Sequence, residues 1–568
     1  MTLTELQNWL KKHKIDAYYI TRNNMFINED ILPEENKITK LTGFTGSAGN
    51  LIVLQNNAIL FIDGRYEIQS KLETDARQVE IKCTNGASPI SWLIETFRNK
   101  KSRIMYNDWC ISAQDFSLLT DKLPNTKFIV DKKGILGSVL SEKKVYIFEQ
   151  SLEYAGIDKE EKISLILENM IKNNLDGILI TAADNVSWLL NIRSNTLLNS
   201  PIVRAFALIE KNGTVTLFGE HLNYPNAKSL SELPKILKKF KKNKLGCQFY
   251  NSPQKIYNIF SSKEHIRNIT DIITLQKAKK NPVELQGIKN AHIRDAVAMV
   301  NFLHWLDNNW QNKSELDIVK KLYEYRASQP LFFSNSFETI AGFAENGAII
   351  HYQPKEHTNK LLKNGSMLLL DSGAQYYDGT TDITRTIAIG TPSQQMIEDF
   401  TTILKCHIAL ASTHFPHQTS GQALDSICRR NLWACGKNYN HGTGHGVGCF
   451  LNVHEGPQNI SSSSSKQALE AGMVNSIEPG YYKEGEYGIR IENLYYISES
   501  KRKNDRLPML KFEYLTLVPI DKRLINKYLL DDGEIKWLNQ YHQAVFDSLQ
   551  NLVDSNIKEW LKDACSPI

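Results

Sequence analysis

Residues 369–386 of this 568-residue chain read LLDSGAQYYDGTTDITRT, and they contain the pattern that decides the fold of its C-terminal half. The apolar run that starts at Met367 predicts a strand, and Asp371 stands at the end of that run. Asp382 follows 11 residues later, after an Asp-Gly turn at 378–379 that would return the chain. The spacing therefore predicts a hairpin on which the two carboxylates face each other.

Two further passages of the C-terminal half concentrate residue types that bind metals. Residues 441–448 read HGTGHGVG and present two imidazoles between glycines, which permit close approach of the backbone. Residues 477–482 read IEPGYY and contain Glu478, and Glu492 follows 14 residues later inside the apolar stretch YGIRIENLY. Burial of an unpaired carboxylate is costly, so we expect these acids to share a ligand.

Together these passages supply four carboxylates and one imidazole, from Asp371, Asp382, His445, Glu478 and Glu492. This composition is unlike a structural zinc site, which prefers thiolate and histidine ligands. Oxygen-rich sites with one nitrogen ligand suit harder divalent ions, of which manganese is the first expectation, with zinc or cobalt as alternatives. Four anionic ligands roughly balance two divalent cations, so we expect a dinuclear centre that turns a bridging water into a hydroxide nucleophile.

The N-terminal half contains one helix–strand pattern twice. Residues 6–21 predict an amphipathic helix that leads into a buried strand, and residues 163–181 repeat that design about 160 residues later. Two copies indicate two related α/β domains, although helix–strand pairs are common enough for a chance repeat. We place the domains at residues 1–150, 151–275 and 276–568.

Composition and charge exclude several classes of protein. The formal net charge is only +5, and residues 1–275 carry 36 basic and 30 acidic side chains. The one dense basic run, Lys235 to Lys244, is interpreted as the solvated face of a helix, so no nucleic-acid partner is expected. No apolar stretch approaches the roughly 20 residues of a membrane-spanning helix, and the charged start of the chain is unlike a signal peptide. The eight cysteines form no CxxC pair, which favours free thiols in the cytoplasm.

The ordered set of metal-binding residue types resembles the pita-bread metallopeptidases, and the surrounding residues narrow the resemblance to the cytosolic-type Xaa-Pro aminopeptidases. The stretches that carry it are GFTGSAG at 43–49, DGRY at 63–66, NGAIIHY at 346–352, residues 371–385, residues 441–448, NVHEGP at 452–457 and EPGYY at 478–482. One departure is Glu345, where the family commonly has proline. The resemblance implies an α/β (α+β) fold, with two creatinase-like N-terminal domains followed by a pita-bread catalytic domain.

The resemblance also implies how the ligands divide between two ions. Asp371 and Asp382 would hold one ion, and Asp382, His445, Glu478 and Glu492 would hold the other, with both Asp382 and Glu492 shared by the two ions. Water between the ions, deprotonated with help from Glu478, would attack the carbonyl that precedes proline. Glu478 is therefore expected to be both a ligand and a catalytic residue.

Three histidines and one arginine take assisting roles in the resemblance. His351 and His454 would be catalytic residues that bind the peptide and stabilise the oxyanion, and each could instead be an ordinary histidine of the core or of a loop. His441 would contact the substrate, or orient only its own loop. Arg490 would bind substrate, or pair with an acid of the site and tune the metal ligands. His407, on a predicted helix, is expected at the surface.

The resemblance implies a metal-dependent aminopeptidase that hydrolyses the bond between an N-terminal residue and a penultimate proline. The first alternative is a proline dipeptidase on the same fold, although that relative usually has one N-terminal domain. The second is a non-catalytic peptide- or histone-binding relative, against which the complete ligand set argues. The helical pattern from Trp537 to Leu561 resembles the extension of dimerising relatives, so a cytoplasmic homodimer is expected, with packing inside one chain as the alternative.

Overall fold

The structure is a computed structural model, and it describes residues 1–84, 88–137, 144–242, 244–260, 263–462, 467–502 and 506–568. The chain divides into two compact units, of which the first comprises Met1–Gln150, Ile157–Leu197 and Pro201–Ile273, and the second Ser151–Gly156, Leu198–Ser200 and Thr274–Ile568. The three linear domain boundaries expected from the sequence remain predictions. Every helix within the described ranges is too short or too polar to cross a membrane.

The first unit begins with a six-stranded sheet between two layers of helices. Its strands are β1 Ala17–Thr21, β2 Asn50–Leu54, β3 Ala58–Ile62, β4 Val79–Cys83, β5 Ser102–Tyr106 and β6 Thr126–Val130. Its helices are α1 Leu3–Lys12, α2 Lys37–Thr42, α3 Glu67–Glu73, α4 Pro89–Phe97 and α5 Ala113–Lys122. The strand order is β4-β3-β2-β1-β5-β6, and all neighbours are parallel except those of β2. Both faces of the sheet are apolar and buried, as expected of a sheet covered by helices on each side.

A second α/β arrangement follows in the same unit. The strands are β7 Val145–Glu149, β8 Gly177–Ile180, β9 Ile192–Ser194, β10 Phe206–Glu210, β11 Val215–Phe218, β12 Leu222–Asn223, β13 Leu245–Cys247 and β14 Ile266–Asn268. The helices are α6 Leu152–Ala155, α7 Lys159–Lys172, α8 Ala183–Leu189, α9 Leu233–Leu237, α10 Gln254–Asn258 and α11 Ile273–Ala278. Two sheets form, in the orders β11-β10-β8-β13-β14 and β12-β7-β9. Helix α6 and all but the first residue of α11 belong to the second unit.

The repeat predicted from the sequence is confirmed. Helix α1 leads into β1 as α7 leads into β8, and each of these strands has an antiparallel neighbour on one side and a parallel neighbour on the other. The helical interpretation of the lysine run is wrong for most of its length, because α9 ends at Leu237 and the exposed Lys238 and Lys239 lie in a turn. Asn243, which interrupts the run, lies outside the described residues.

The second unit combines long helices with short antiparallel sheets. Its further helices are α12 Pro282–Asn309, α13 Glu315–Ala327, α14 Gln394–Ala411, α15 Gly421–Ala434, α16 Asp532–Leu549 and α17 Ser555–Ala564. Its strands are β15 Phe332–Asn335, β16 Ile340–Phe343, β17 Ser366–Ser372, β18 Ala374–Tyr376, β19 Gly379–Thr380, β20 Ile383–Ile389, β21 His414–Pro416, β22 Gly444–Gly446, β23 Glu455–Ile460, β24 Val474–Ile477, β25 Gly480–Lys483, β26 Tyr487–Arg490, β27 Asn493–Glu499 and β28 Met509–Tyr514. The sheets have the orders β16-β17-β20, β15-β18-β19, β21-β28-β27-β24-β22-β23 and β25-β26.

The two C-terminal helices pack into the core of the second unit. Leu538, Tyr541 and Leu561 are buried in the same apolar cluster as the strands that carry the site. This is the intramolecular packing that the sequence left open, and the homodimer remains a prediction. His407 of α14 lies in the same core, where its Nε2 is 2.7 Å from the Tyr495 hydroxyl, so its expected place at the surface is wrong.

Candidate metal centre

The five predicted ligands lie at strand ends or in short strands of the second unit. Asp371 lies near the end of β17, Asp382 directly before β20, His445 in β22, Glu478 directly after β24 and Glu492 between β26 and β27. Strands β17 and β20 are antiparallel neighbours in which Asp371 stands opposite Thr384, so the predicted hairpin is confirmed. Antiparallel pairing thus brings residues distant in sequence to one edge of the fold.

Three of these side chains converge closely enough to hold one ion. Asp382, His445 and Glu492 each offer one ligand atom, and these three atoms lie within 4.8 Å of one another. His445 Nε2 is 3.5 Å from Asp382 Oδ2 and 3.6 Å from Glu478 Oε1. The other ring nitrogen, Nδ1, is 2.9 Å from the Gly446 carbonyl oxygen. Donation from Nδ1 to that carbonyl leaves the Nε2 lone pair facing the carboxylates, as a metal ligand requires.

Close backbone approach positions His445. A Cβ atom on Gly444 would overlap the carbonyl oxygen of Ser476, and the Ser476 hydroxyl accepts a hydrogen bond from the His445 backbone N–H at 2.9 Å. The Ser476 hydroxyl also lies 3.3 Å from Glu478 Oε1, to which it donates. Glycine is therefore needed in this strand because it lets one serine hold both a histidine and an acid of the site.

Asp371 is buried beside Arg490. Arg490 Nη2 donates to Asp371 Oδ2 at 2.6 Å. Burial raises the pKa of Asp371 to about 6, an effect that Arg490 opposes and the nearby Asp382 carboxylate reinforces. Asp371 Oδ1 and Asp382 Oδ1 are both buried and accept no hydrogen bond from the described residues. Both oxygens are therefore available to a cation.

Glu492 is almost completely buried among other acids. Thr384 Oγ1 donates to Glu492 Oε2 at 2.7 Å. Burial, followed by the charges of Asp382 and Glu478, raises the pKa of Glu492 well above its usual value. Buried carboxylates that repel one another and keep unpartnered oxygens fit a site for hard divalent cations, which prefer oxygen ligands.

Two predicted assisting histidines lie beside the ligands. The His454 ring is exposed, and its centroid lies 4.4 Å from that of His445 at an interplanar angle of 84°. His441 Nδ1 lies 3.9 Å from Glu478 Oε2, and His441 Nε2 lies 2.8 Å from the Tyr482 hydroxyl. His454 therefore lies beside the predicted ligand His445, and His441 lies beside the predicted ligand Glu478.

His351 lies in a turn after the short 3₁₀ helix Ala344–Ala348. The carbonyl of the preceding residue, Ile350, accepts a hydrogen bond from Arg490 Nη2 at 3.4 Å. The carboxylate of Glu315 holds the same loop, because it accepts from the Phe343 backbone N–H and the Tyr352 hydroxyl, each at 2.8 Å. Helix α13, which begins at Glu315, therefore sets the position of the His351 turn.

Glu345, the departure from the family pattern, lies in the same 3₁₀ helix. Its side chain is half exposed and pairs with Lys360, whose ammonium lowers the pKa of the Glu345 carboxyl. The substitution for proline therefore adds an ion pair at the surface of the His351 loop.

Tyr482 is a residue of the site to which the sequence reasoning assigned no role. Its hydroxyl accepts from Arg490 Nη1 at 2.7 Å and contacts His441, so it joins the Asp371–Arg490 pair to the histidine. The available signal was strand alternation, which places Tyr482 and Tyr481 on opposite faces of β25. Alternation alone does not decide which of the two tyrosines faces the site. In the structure Tyr482 contacts Arg490 and His441, whereas the Tyr481 ring packs against Lys437, whose Nζ lies 4.6 Å from the ring centroid.

Arg490 is enclosed by these contacts. It is 1% exposed, and its guanidinium also donates from Nε to Thr384 Oγ1 at 3.2 Å. The geometry favours a positioning role that connects Asp371, Thr384 and Tyr482, whereas direct contact with substrate remains a prediction.

Helix α15 holds the loop that carries His441 and leads into His445 of β22. Arg429 Nη2 donates to the His441 carbonyl at 2.7 Å, and Nη1 donates to the Tyr439 carbonyl at 2.8 Å. The same guanidinium pairs through Nε with Asp425 at 2.7 Å, and Asp425 accepts from the Thr443 hydroxyl at 2.5 Å. The buried Asp425–Arg429 pair thus holds both ends of the loop 439–443, Arg429 at Tyr439 and Asp425 at Thr443.

The chain matches models of known protein families along most of its length. Residues 286–499 match metallopeptidase family M24, and residues 508–568 match the C-terminal region of the same peptidases. Residues 3–135 and 140–284 each match the creatinase/prolidase N-terminal domain. The α/β (α+β) fold with two creatinase-like domains and a pita-bread catalytic domain is thereby confirmed.

Individual relatives match along the whole chain. Xaa-Pro aminopeptidase 1 of Dictyostelium discoideum is 34% identical over 99% of this chain and 96% of its own length. Aminopeptidase P1 of Lotus japonicus is 32% identical over 100% of this chain and 99% of its own length. The crystal structure of X-prolyl aminopeptidase from Caenorhabditis elegans, described as a cytosolic enzyme with a di-nuclear active site, superposes with a TM-score of 0.91 at 30% identity, covering 98% of this chain and 95% of that one.

The Xaa-Pro dipeptidase of Bacillus anthracis shares the fold over part of the chain. Its structure superposes with a TM-score of 0.51 at 24% identity and covers 64% of this chain and 99% of that one. The match is therefore partial, in contrast with the end-to-end matches of the aminopeptidases.

Proposed function

The chain belongs to metallopeptidase family M24, among its Xaa-Pro aminopeptidases, and we propose that it hydrolyses the bond between an N-terminal residue and a penultimate proline. The observation that carries the proposal is the convergence of Asp382, His445 and Glu492 within 4.8 Å, in a chain that matches these relatives from end to end. A proline dipeptidase is disfavoured because such proteins match only part of the chain.

Two divalent cations are the cofactors in this proposal, with manganese as the first choice over zinc or cobalt. Asp371 and Asp382 would hold one ion, and Asp382, His445, Glu478 and Glu492 would hold the other, with Asp382 and Glu492 shared between them. Support comes from the two unpartnered buried oxygens of Asp371 and Asp382 and from the oxygen-rich ligand set. When bound, such a pair polarises the scissile carbonyl and lowers the pKa of a water that then serves as nucleophile.

The side chains around the ligands supply the remaining chemistry. Glu478, which keeps its place through Ser476, takes a proton from the attacking water and passes it to the departing nitrogen. His454 and His351 donate hydrogen bonds to the oxygen on which negative charge develops. His441, oriented by Tyr482, contacts the peptide.

Selectivity for proline follows from its chemistry. The nitrogen of the Xaa-Pro bond carries no hydrogen, so an enzyme that uses this N–H as a donor loses a contact. A site that instead packs against the pyrrolidine ring gains apolar contact, and it discriminates against residues without the ring.

The assembly and location are part of the same proposal. We expect a cytoplasmic homodimer that acts on peptides with proline at position two, with domains at 1–150, 151–275 and 276–568. Support for the location comes from the C. elegans relative, which is described as cytosolic. Light scattering should give twice the 64.8-kDa chain mass, whereas a mass equal to one chain would refute the dimer.

The activity is tested with three peptides and purified protein supplied with Mn²⁺. Lys-Pro-Phe should release lysine, Lys-Ala-Phe should not, and the dipeptide Lys-Pro should react slowly. Hydrolysis of Lys-Pro alone would indicate the proline dipeptidase. No hydrolysis of any peptide, with two ions per chain confirmed by metal analysis, would favour the non-catalytic alternative.

The ligand assignment is tested by metal content together with turnover. Glu478→Gln and His445→Ala should abolish turnover and lower the metal content from about two ions per chain, because each removes a proposed ligand. His351→Ala should lower turnover strongly and retain both ions. His357→Ala, a change of an exposed histidine, is the control and should retain both properties. Full activity of either ligand variant would refute the assignment.

A further inference from the structure

Two buried ion pairs hold the start of strand β23, directly after His454. The carboxylate belongs to Glu455, the first residue of that strand, and its side chain is completely buried. Lys280 Nζ donates to Glu455 Oε1 at 3.0 Å, and Lys277 Nζ lies 3.1 Å from Glu455 Oε2. Both lysine side chains are only 1% exposed. Each oxygen of the carboxylate therefore meets a different ammonium.

Two ammoniums on separate oxygens define the orientation of the carboxylate as well as its position. A single cation would leave the carboxylate free to turn about the bond that joins it to the side chain, whereas two cations fix its plane. Hydrogen bonds between charged groups are stronger than those between neutral groups, and burial removes the water that would compete for them. The Glu455 side chain therefore cannot turn without breaking a buried ion pair.

The two lysines belong to the segment by which the chain enters the second unit, at Thr274. Lys277 lies in α11, and Lys280 lies between α11 and α12. The Lys280 backbone N–H donates to the Gly472 carbonyl at 2.9 Å, so the main chain of the lysine is itself anchored. Both lysines precede residue 286, where the match to the metallopeptidase family begins. The extent of that match alone would not include them in the catalytic unit.

The glycines that follow His445 make room for Glu455. A Cβ atom on Gly446 would overlap the carbonyl oxygen of Glu455, and a Cβ atom on Gly448 would lie 2.9 Å from Glu455 Oε2. Gly446 is also the residue that stands opposite Glu455 in the pairing of β22 with β23. Glu455 therefore lies where β23 joins the strand that carries His445.

The position of Glu455 determines that of His454, because one planar peptide unit connects the two residues. Their side chains have opposite environments, since Glu455 is buried and His454 is exposed. The centroid of the His454 ring lies 4.4 Å from that of the His445 ring. A displacement of Glu455 would therefore also displace the His454 ring from its place beside His445.

We propose that Lys280, together with Lys277, is a positioning residue for catalysis, which holds Glu455 and thereby keeps His454 beside the metal ligands. This inference rests on the proposed function, in which His454 donates a hydrogen bond to the oxygen that gains negative charge. Such a donor is effective when it is already in place before the reaction, because no energy is then spent on turning it. The buried ammoniums supply that fixed geometry from outside the strand.

Lys280→Met tests the proposal in purified, manganese-loaded enzyme. Methionine keeps an unbranched side chain without the ammonium, and Lys277 still pairs with Glu455, so we expect the variant to fold. With Lys-Pro-Phe, kcat should fall about tenfold, whereas KM and metal content should stay as in the wild type. Lys279→Met is the matched control and should retain full kcat, because this neighbouring lysine pairs with Glu470 at the surface.

A double-mutant cycle shows whether Lys280 acts through His454. His454→Ala should lower kcat about a hundredfold, and addition of Lys280→Met should lower it no further, because the ring that the lysine positions is gone. Two independent effects would instead multiply to about a thousandfold. A multiplied loss, an unchanged kcat in Lys280→Met, or loss of metal from that variant would each overturn the proposal.

Crystal structures of the wild type and of Lys280→Met provide a measurement that needs no turnover. In the wild type the His454 ring should lie beside His445, and in the variant it should leave that place or occupy several. An unmoved ring would overturn the proposal. If the wild type hydrolyses no Xaa-Pro peptide, the proposed function fails, whereas the position of the ring still decides whether Lys280 orients His454.

A second variant covers the case in which Lys280→Met does not fold. Lys280→Gln keeps a hydrogen-bond donor without the charge, and it would then take the place of Lys280→Met in the cycle and in the crystals. Failure of both variants to fold, with Lys279→Met folded, would overturn the proposal, since Lys280 would then support the unit as a whole. Circular dichroism makes this comparison.

Discussion

At the scale of single residues, Glu492 has an environment that favours its charged form only beside a cation. The side chain is 2% exposed, and the hydroxyl of Thr384 is a donor to one of its oxygens. The acids Asp382, Glu478 and Asp371 all raise its pKa through their charges, in addition to burial. A carboxylate in such a place costs stability unless a ligand compensates for it.

Glu492→Gln should therefore stabilise the metal-free protein while it destroys the site. The amide keeps an acceptor for Thr384 and does not ionise, so the metal-free fold no longer carries the cost of burying an acid beside Asp382 and Glu478. In excess chelator the melting temperature should rise by roughly 2–4 °C, the shift expected for about 1 kcal/mol in a large domain. In excess Mn²⁺ the order should reverse, because only the wild type gains the stability of bound ions.

Thermal unfolding followed by circular dichroism in both buffers makes the comparison. Glu484→Gln, a change of an exposed acid between β25 and β26, is the control and should leave both melting temperatures unchanged. A lower melting temperature of Glu492→Gln in chelator would contradict the view that repulsion dominates in the metal-free site.

At the scale of elements, helix α15 controls a loop that contains His441 and leads into strand β22, which carries His445. Arg429 donates to two backbone carbonyls of residues 439–441 and to Asp425. The planar guanidinium reaches these acceptors from one position, which a lysine ammonium cannot do. Arg429→Lys should therefore leave buried carbonyls unpaired and destabilise the unit by about 2 kcal/mol.

The loss of the Arg429 hydrogen bonds should also disturb the metal centre. Because His445 follows the loop that Arg429 holds, Arg429→Lys should lower metal occupancy and turnover together, as measured by metal analysis and initial rates. Arg430→Lys is the matched control, since the neighbouring arginine is exposed on the same helix. Equal activity in the two variants would show that the loop holds its shape without the guanidinium.

Helix α16 makes the second unit sensitive to acid. His542 is buried, and its Nε2 accepts a hydrogen bond from the Ile520 backbone N–H at 3.1 Å. Burial, with the charges of Lys522 and Arg385, lowers the pKa of His542 from 6.5 to about 3. In the unfolded chain His542 is therefore protonated below about pH 6.5, whereas in the folded chain it stays neutral down to about pH 3.

The fold should lose stability in acid because folding keeps His542 neutral. The stability that neutral His542 contributes is present above pH 6.5 and is lost as the pH falls toward 3, at about 1.4 kcal/mol per pH unit. His542→Gln keeps an acceptor for Ile520 and does not titrate, so its melting temperature should fall less between pH 7 and pH 5 than that of the wild type. His357→Gln, at an exposed site, should follow the wild type; a steeper fall in His542→Gln would contradict the assignment.

Elements with strong local signals could be predicted from the sequence. The hairpin at 369–386 was predictable because apolar runs and an Asp-Gly turn are local features. The burial of His407 was not, because it depends on Tyr495, which lies 88 residues away in sequence. The role of Tyr482 was also hidden, since alternation in β25 offers two tyrosines and only the tertiary fold selects one.

At the scale of the whole molecule, a linear division of the chain misses a feature of its packing. The second compact unit includes the short segments Ser151–Gly156 and Leu198–Ser200, which lie far before its main part at Thr274–Ile568. Composition and periodicity predict domain boundaries near residues 150 and 275, since the helix–strand pattern changes there. They could not place these segments, because no local signal records which unit a loop packs against.

The segment Leu198–Ser200 supports a loop of the catalytic unit. The Ser200 hydroxyl donates to Asn452 Oδ1 at 2.6 Å, and Asn452 lies two residues before His454. The Asn199 carbonyl accepts from Gln375 Nε2 at 3.1 Å, on the strand that follows Asp371. A fragment that begins at residue 276 would lack both contacts, so we expect it to be less active than the full chain.

Ser200→Ala in the full chain isolates one of these contacts. Loss of the hydrogen bond should release the loop that carries His454 and lower kcat by roughly fivefold, which corresponds to about 1 kcal/mol, with metal content unchanged. Asn195→Ala, an exposed change a few residues earlier, is the control for any effect of the region itself. Unchanged kcat in Ser200→Ala, measured with saturating Lys-Pro-Phe, would show that the loop is held from within residues 274–568 alone. A fall in kcat confined to Ser200→Ala would instead show that residues outside the linear catalytic domain help to build its active site.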